Sequence, residues 1–140
     1  MASPEPPRPS VRSRDMTGPL GGVPPAELLM TIERADRDGC LVLAVRGEVD
    51  LSTGGRLADA AGDALHEADG RPVILDMLAV EFLSSSGLGV LVSLNDQASA
   101  LRTPLRVVVD STRPVMRPIR TMGLDDVLAL FETVSEAVAG

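Results

Sequence analysis

The length, composition and charge of the chain already exclude several classes of protein. Its 140 residues predict a single domain that is large enough to bury a hydrophobic core. Thirteen Arg residues and no Lys stand against 20 acidic residues, and a net charge of −7 argues against a nucleic-acid partner. The chain has no Trp or Tyr and only two Phe, which argues against an aromatic platform for stacking bases.

A single cysteine and a single histidine limit the metal, redox and catalytic chemistry that the chain can carry. Cys40 by itself excludes an internal disulfide and a cysteine-based zinc cluster, and we expect a buried, inert thiol. His66 falls inside a predicted helix, where a solvated surface histidine is expected rather than a member of a catalytic triad. The sequence also lacks the glycine-flanked serine of hydrolases and the Gly-Lys pair of a P-loop, so it predicts no enzyme, no cofactor and no metal site.

The N-terminal segment differs in composition from the rest of the chain. Residues 1–25 hold seven of the eleven prolines and three Arg, so we expect a disordered Pro/Arg-rich arm ahead of a domain over residues 26–140. No apolar run approaches the roughly 18 residues that a membrane helix needs, and no apolar signal core is present. The sequence therefore predicts a cytoplasmic protein without a membrane partner.

Alternating strand and helix patterns over residues 28–138 predict the order ββαβαβαβα. Asp38-Gly39 is typical of a hairpin turn, so the first two strands should be antiparallel, and the later alternation indicates a mostly parallel sheet. Ser52 or Thr53 is expected to cap the first helix. The predicted strands are Met30 to about Arg34, Leu41–Val45, Val73–Leu75, Leu105–Val109 and Val127–Phe131. The predicted helices cover about 54–68, Ser84–Leu101, Pro114 to about Gly123, and Glu132–Val138. The fold class is thus α/β, with about five strands and about four helices.

The stretch between the third strand and the second helix is the most informative part of the sequence. The strand is expected to end at Asp76, and Val80 and Phe82 in the connection are expected to plug the core. Three serines followed by Gly87 then open an apolar helix. Serine is a good N-cap because its oxygen accepts an orphan backbone N–H, so Ser84 is expected to cap this helix.

The second helix has two different faces. Leu88, Leu91, Ala98 and either Leu94 or Asn95 follow the helical period and should face the sheet. The opposite face is small and polar, and it consists of Ser85, Gly89, Ser93 and Asp96. A surface of this kind, with a glycine that admits close approach of another backbone, indicates a docking site for a partner protein.

Three motifs together resemble the STAS domain of anti-sigma-factor antagonists. They are Gly47-Glu48-Val49-Asp50, then Asp76, then Phe82-Leu83-Ser84-Ser85-Ser86-Gly87-Leu88-Gly89. The resemblance covers about residues 28–138 and implies the STAS fold. It also implies a stress-response regulator that binds an anti-sigma factor, itself a serine protein kinase, and so releases a sigma factor.

The resemblance further implies that the kinase phosphorylates Ser85 and that a PP2C-type phosphatase reverses the reaction. Ser86 takes the neighbouring Ser/Thr position, and Asp50 matches an acidic residue beside the phosphorylation site. The partner-binding residues expected from the motifs and the helix face are Asp50, Ser84, Ser85, Ser86, Gly87, Gly89, Ser93 and Asp96.

One position departs from the family pattern, because Ser84 stands where the family has Asp. Three outcomes stay open: phosphorylation at Ser85, phosphorylation at Ser84 or Ser86 instead, or a member that works without phosphorylation. An alternative function is a STAS scaffold or partner subunit in a stressosome-like or lipid-transport complex. A cation site at Asp50, Asp76 and Glu81 is a weaker reading. The expected oligomeric state is a monomer or weak dimer.

Overall fold

Strands and helices alternate around one mixed sheet in residues 29–140, which are the residues that the computed structural model describes. The strands are β1 (Met30–Arg37), β2 (Cys40–Val49), β3 (Val73–Leu83), β4 (Leu105–Val108) and β5 (Ala129–Phe131). The helices are α1 (Gly54–Glu67), α2 (Ser85–Leu101), α3 (Met116–Thr121) and α4 (Val134–Ala139), with a 3₁₀ turn at Leu124–Asp126. The predicted order ββαβαβαβα is confirmed, whereas the arm expected over residues 1–25 lies outside the described residues.

The sheet has the strand order β1-β2-β3-β4-β5, in which only β1 runs antiparallel to its neighbour. Asp38 and Gly39 both have positive φ, 50° and 83°, as a tight hairpin turn with two left-handed residues requires. Arg37 therefore pairs directly with Cys40, and the predicted antiparallel hairpin is confirmed.

The third strand is much longer than predicted, because it runs on past Asp76 to Leu83. Two bulges explain the difference, each adding one residue to β3 relative to β2. The pairs that frame them are Ala44↔Asp76 with Arg46↔Ala79, and Gly47↔Val80 with Glu48↔Phe82. Each bulge shifts the alternation by one residue, so the buried side chains after Met77 are Val80 and Leu83 rather than every second residue.

The expectation that Phe82 plugs the core is wrong. Its side chain is 51% exposed, whereas Val80 is buried at 1% as predicted. The second bulge lies between these two residues and turns Phe82 away from the core, which leaves Leu83 to fill the core position.

The hydrophobic core is divided by the sheet into two unequal parts. The larger part lies under α1, α2 and α3, and it includes the predicted inward face of α2, namely Leu88, Leu91, Leu94 and Ala98. The smaller part lies under α4, where Ala137 packs with Cys40, Val42, Ile74 and Val108. Cys40 is 3% exposed, so its predicted burial is confirmed.

The last strand is shorter than the predicted Val127–Phe131. A 3₁₀ turn precedes it, and Val127 is 54% exposed, so pairing with β4 begins only at Ala129. The closing helix begins at Val134, after Thr133, whose hydroxyl accepts the backbone N–H of Glu136 at 3.0 Å. Within residues 29–140, no helix combines the length and apolar character needed to cross a membrane.

Candidate functional site

The ends of β2 and β3 bring two of the sequence motifs side by side. Val49 pairs with Leu83 at the last position of both strands, and the backbone N–H of Ser84 donates to the carbonyl of Val49 at 3.0 Å. Asp50 and Ser84 each follow directly on this pair. The loop into α1 and the start of α2 therefore meet at the carboxyl edge of the sheet.

Position 47 requires glycine because of its backbone conformation and because the chain before β1 passes close to it. Gly47 has φ of 103°, a conformation that L side chains rarely adopt. A Cβ there would overlap the carbonyl oxygen of Leu29, which lies just before β1. The glycine of the Gly47–Asp50 motif thus lets the chain before β1 cross close to the end of β2.

The loop from β2 into α1 is held by Asp50 and Thr53. One Asp50 carboxylate oxygen accepts the backbone N–H of Ser52 at 2.9 Å, the hydroxyl of Ser52 at 2.8 Å and the backbone N–H of Thr53 at 3.2 Å. These bonds, above all the one from the Ser52 hydroxyl, lower the pKa of Asp50 below its ordinary value. Asp50 therefore acts first as the organiser of its own loop.

Thr53 occupies the N-cap position of α1, but its side chain does not cap the helix as expected. The fully buried hydroxyl instead accepts the backbone N–H of Asp50 at 2.9 Å and donates to the carbonyl of Glu48 at 2.8 Å. The expected cap from Ser52 or Thr53 is wrong, because both hydroxyls are used to close the loop.

The start of α2 uses its three serines differently from one another. Ser84 is the N-cap, as predicted, and its Oγ accepts the backbone N–H of Gly87 at 3.2 Å. The hydroxyls of Ser85 and Ser86 make no hydrogen bond within the described residues, but Ser85 is exposed whereas Ser84 and Ser86 are half-buried. Ser85 thus presents the most accessible unengaged hydroxyl of this turn.

Gly87 belongs to the packing of the site rather than to its surface. A Cβ at this position would lie 2.7 Å from both the carbonyl oxygen of Val49 and the Cδ1 of Leu83. The residue is buried, so its contribution here is to packing, and its expected role in partner binding stays a prediction. Its glycine is needed because the first turn of α2 packs directly on the end of β2.

The polar face of α2 is arranged as the periodicity predicts. Ser85, Gly89, Ser93 and Asp96 are all exposed, and a Cβ at Gly89 would have no neighbour within 4 Å. We call these four residues the serine face. It continues from the carboxyl edge of the sheet along the outer side of the helix, and its role in binding stays a prediction.

Sequence reasoning missed two exposed apolar side chains at the same edge. Leu51 is 84% exposed in the loop after β2, and Phe82 is 51% exposed three residues before Ser85. The polar surroundings of Leu51 in Asp50-Leu51-Ser52-Thr53 were a usable signal, whereas the exposure of Phe82 follows from a bulge that no local pattern reveals.

Residues 29–140 do not bring together the residues of the catalytic triad or of the cation site that were considered from the sequence. His66 is exposed near the end of α1, where its Nδ1 lies 2.9 Å from the carbonyl of Gly62, whereas Ser85 lies at the start of α2. Asp76 accepts the backbone N–H of Leu78 instead of joining Asp50 and Glu81 in a cation site. In the part of the chain that the structure describes, no group of three or more His, Cys, Asp or Glu residues is placed to hold a metal ion.

A parallel α/β sheet with an antiparallel first strand, and with a serine-capped helix at its carboxyl edge, defines the class of fold. A family model described as the STAS domain matches residues 31–137, and the chain belongs to this family. The family resemblance stated from the motifs is thereby confirmed.

Individual relatives agree with the family match. The anti-sigma-F factor antagonist RsfB of Mycobacterium tuberculosis is 34% identical over 111 residues, which cover 79% of this chain and 88% of RsfB. The crystal structure of an anti-sigma factor antagonist from Mycobacterium paratuberculosis is 33% identical, with a TM-score of 0.69 over 79% of this chain and 92% of that one. The Bacillus cell fate determinant SpoIIAA in its phosphorylated form is 18% identical, with a TM-score of 0.56 over 78% and 97% of the two chains, which shows a shared fold.

Proposed function

We propose that this chain is an anti-sigma factor antagonist whose binding is switched off by phosphorylation of Ser85. The unmodified protein binds an anti-sigma factor through the carboxyl edge of the sheet and the serine face, and a sigma factor is released. The exposed, unengaged Ser85 hydroxyl at the start of α2 is the observation that carries this proposal. The relatives named as anti-sigma factor antagonists support the choice of partner.

The three serines differ in how well they suit a kinase. A kinase needs a hydroxyl that it can reach and that is free to attack the γ-phosphate. Ser84 is half-buried, and its Oγ holds the Gly87 N–H as the helix cap. Ser86 is also half-buried, whereas Ser85 is exposed. Accessibility therefore favours Ser85 over both alternatives, and the cap hydrogen bond further disfavours Ser84.

A phosphate on Ser85 is compatible with the fold. Phosphoserine brings a charge of about −1.5 to −2. At the first position of α2 this charge meets free backbone N–H groups and the positive end of the helix dipole, which stabilise it. We therefore expect the modified protein to keep its structure.

The effect of the phosphate falls on the partner instead. Asp50 follows the end of β2 next to this turn, and Asp96 lies further along the serine face, so a phosphate adds to negative charge already there. The phosphate adds charge and bulk at the docking surface. If this weakens binding by about 3 kcal/mol, the affinity falls more than about a hundredfold.

The family departure at Ser84 is accommodated by this site. Serine and aspartate are both strong N-cap residues, and Ser84 does accept the Gly87 N–H. The helix start is therefore formed without the family carboxylate. What changes is the charge beside Ser85, which bears on how a kinase recognises the site.

The remaining partners follow from the same proposal. The anti-sigma factor is also the serine protein kinase that modifies Ser85, and a PP2C-type phosphatase removes the phosphate. The antagonist acts in the cytoplasm as a monomer or weak dimer, and it is itself no enzyme.

The proposal is tested with the purified anti-sigma factors of the genome that encodes this chain. Each is mixed with the chain, first without ATP for a binding measurement, then with ATP for mapping of phosphate by mass spectrometry. We expect at least one to bind and to phosphorylate the wild type, with the phosphate on Ser85. Ser85→Ala should abolish incorporation, and Ser86→Ala, the matched control one residue away, should retain it.

Each alternative outcome has a definite meaning. Binding by none of the anti-sigma factors would refute the antagonist function and leave the scaffold role in a stressosome-like or lipid-transport complex. Binding without any phosphate incorporation would refute the switch and identify a phosphorylation-independent antagonist, for which the Ser84 substitution is the motivating observation.

A further inference from the structure

Exposed apolar side chains are distributed unevenly over the described surface. Among residues 29–140, the large hydrophobic side chains that are exposed are Leu51, Phe82, Leu101, Met122 and Val127. Leu101, Met122 and Val127 lie in the segments that lead into β4 and β5, which is the amino edge of the sheet. Leu51 and Phe82 belong to the opposite edge, where Ser85 lies.

Leu51 and Phe82 both lie close to the start of α2. Phe82 is three residues from Ser85, so their Cα atoms are no more than about 10 Å apart. Leu51 is two residues beyond Val49, whose carbonyl accepts the N–H of Ser84 at 3.0 Å. The proposed phosphorylation site is thus close to two apolar side chains that the fold of residues 29–140 leaves uncovered.

A shallow groove extends the apolar surface on the Phe82 side. It lies between the end of β3 and the start of α3 and has a volume of about 180 Å³. It is lined by Glu81 and by five apolar residues, namely Phe82, Leu83, Pro114, Val115 and Pro118. Two prolines and a half-exposed phenylalanine form a rigid apolar rim, because none of these side chains has much rotamer freedom to lose on binding. A single apolar side chain of a partner fits a space of this size.

We propose that Leu51 and the Phe82 groove are the apolar anchors of the surface that binds the anti-sigma factor, and that they carry much of its affinity. This inference rests on the proposed function, since it assigns the occupant of the groove to the partner that binds at Ser85. Leu83 lines the groove and directly precedes Ser84, so the groove adjoins the turn that carries Ser85, which argues for this occupant. Interface energy is usually concentrated in a few anchors that are rich in aromatic residues, and the serine face offers no large side chain of its own.

The apolar anchors and the Ser85 region have different roles, and this difference explains how one phosphate can act as a switch. The anchors provide affinity in both states, whereas Ser85 changes the charge and shape beside them. The partner must be apolar where it meets Leu51 and Phe82, and it must approach Ser85 closely enough to exclude a phosphate.

The test uses the full-length chain and the anti-sigma factor that binds the wild type. Phe82→Ala and Leu51→Ala should each weaken binding at least about tenfold, as truncation of an anchor does. Met122→Ala is the matched control, because Met122 is 65% exposed at the other edge of the sheet, and it should change the affinity less than about twofold. Both anchors are exposed, so unfolding midpoints should match that of the wild type.

The outcomes separate this inference from the function on which it rests. A wild type that binds no anti-sigma factor overturns both. A wild type that binds while Phe82→Ala and Leu51→Ala bind equally well overturns only the anchors. Tighter binding by Phe82→Ala would assign the groove to residues 1–28 of this chain. A dimer that Phe82→Ala converts to a monomer in sedimentation would assign it to a second copy, and either result contradicts the proposal.

Discussion

The starts of α1 and α2 lie side by side at one edge of the sheet and use similar residues for opposite purposes. Before α1, the hydroxyls of Ser52 and Thr53 are both bonded to neighbouring loop atoms, and Thr53 is fully buried. Before α2, one serine caps the helix and the next, Ser85, is exposed and unengaged. The hydroxyls before α1 are structural because their partners are internal, whereas the Ser85 hydroxyl has no internal partner and is the one that we propose is modified.

A negative charge at Ser85 should disrupt recognition without disturbing the fold. We expect Ser85→Asp to lower the affinity for the anti-sigma factor by about a hundredfold or more. The unfolding midpoint should stay close to that of the wild type, because an acidic residue is favourable in the first turn of a helix. Isothermal titration and thermal unfolding measure the two effects. Unchanged affinity, or a large loss of stability, would contradict the comparison.

A substitution at Thr53 should instead lower the stability of the fold. Replacing it by Val keeps the shape but leaves the Asp50 N–H and the Glu48 carbonyl without their partner, so we expect a loss of about 1–3 kcal/mol in the free energy of unfolding. Chemical denaturation measures this loss, with the exposed Ser52→Ala as the control, which should lose less. A Thr53→Val protein as stable as the wild type would show that the loop does not depend on this hydroxyl.

Two glycines of α2, two residues apart, differ in their surroundings: one is packed against the end of β2 and the other faces solvent. Gly87→Ala puts a Cβ 2.7 Å from the Val49 carbonyl oxygen and should destabilise the fold by about 1–3 kcal/mol. Gly89→Ala meets nothing within 4 Å and should stabilise the helix by roughly 0.5–1 kcal/mol. Denaturation of the two variants in parallel is the measurement, and equal effects would mean that the contact at the end of β2 relaxes freely.

The smallest expected effect is the pH dependence of the loop before α1. The hydrogen bonds from Ser52 and Thr53 hold the pKa of Asp50 below its ordinary value of 3.8, so the ionised form stabilises the fold. That contribution is complete well above pH 3.8 and is lost as the pH falls through the lower pKa of the folded state. The unfolding midpoint of the wild type should therefore exceed that of Asp50→Asn near neutral pH, and the gap should narrow in acid. A gap that is independent of pH would refute a role for the charge.

Much of the fold was predictable because the signals that determine it are local. Asp38-Gly39 defines a hairpin turn by its backbone preferences alone, and the apolar period of α2 separates its buried face from its serine face. The N-cap at Ser84 follows from residue type and position.

The features that were mispredicted depend on neighbours that are distant in sequence. The bulges that prolong β3 and expose Phe82 arise from its pairing with β2, which a single strand does not reveal. Gly87 and Gly89 look alike in the sequence, and only the packing of α2 on Val49 shows which one is structural. Thr53 looks like a helix cap, but the carbonyl of Glu48, already fixed in β2, competes for its hydroxyl.

A phosphate on Ser85 is expected to change recognition and not structure. The most direct measurement prepares the chain fully phosphorylated at Ser85, verified by mass spectrometry, and compares it with the unmodified chain. Affinity for the anti-sigma factor and the unfolding midpoint are measured on the same samples. We expect the affinity to fall by more than about a hundredfold with the midpoint nearly unchanged. Equal affinities for the two forms, or unfolding of the phosphorylated one, would contradict the account.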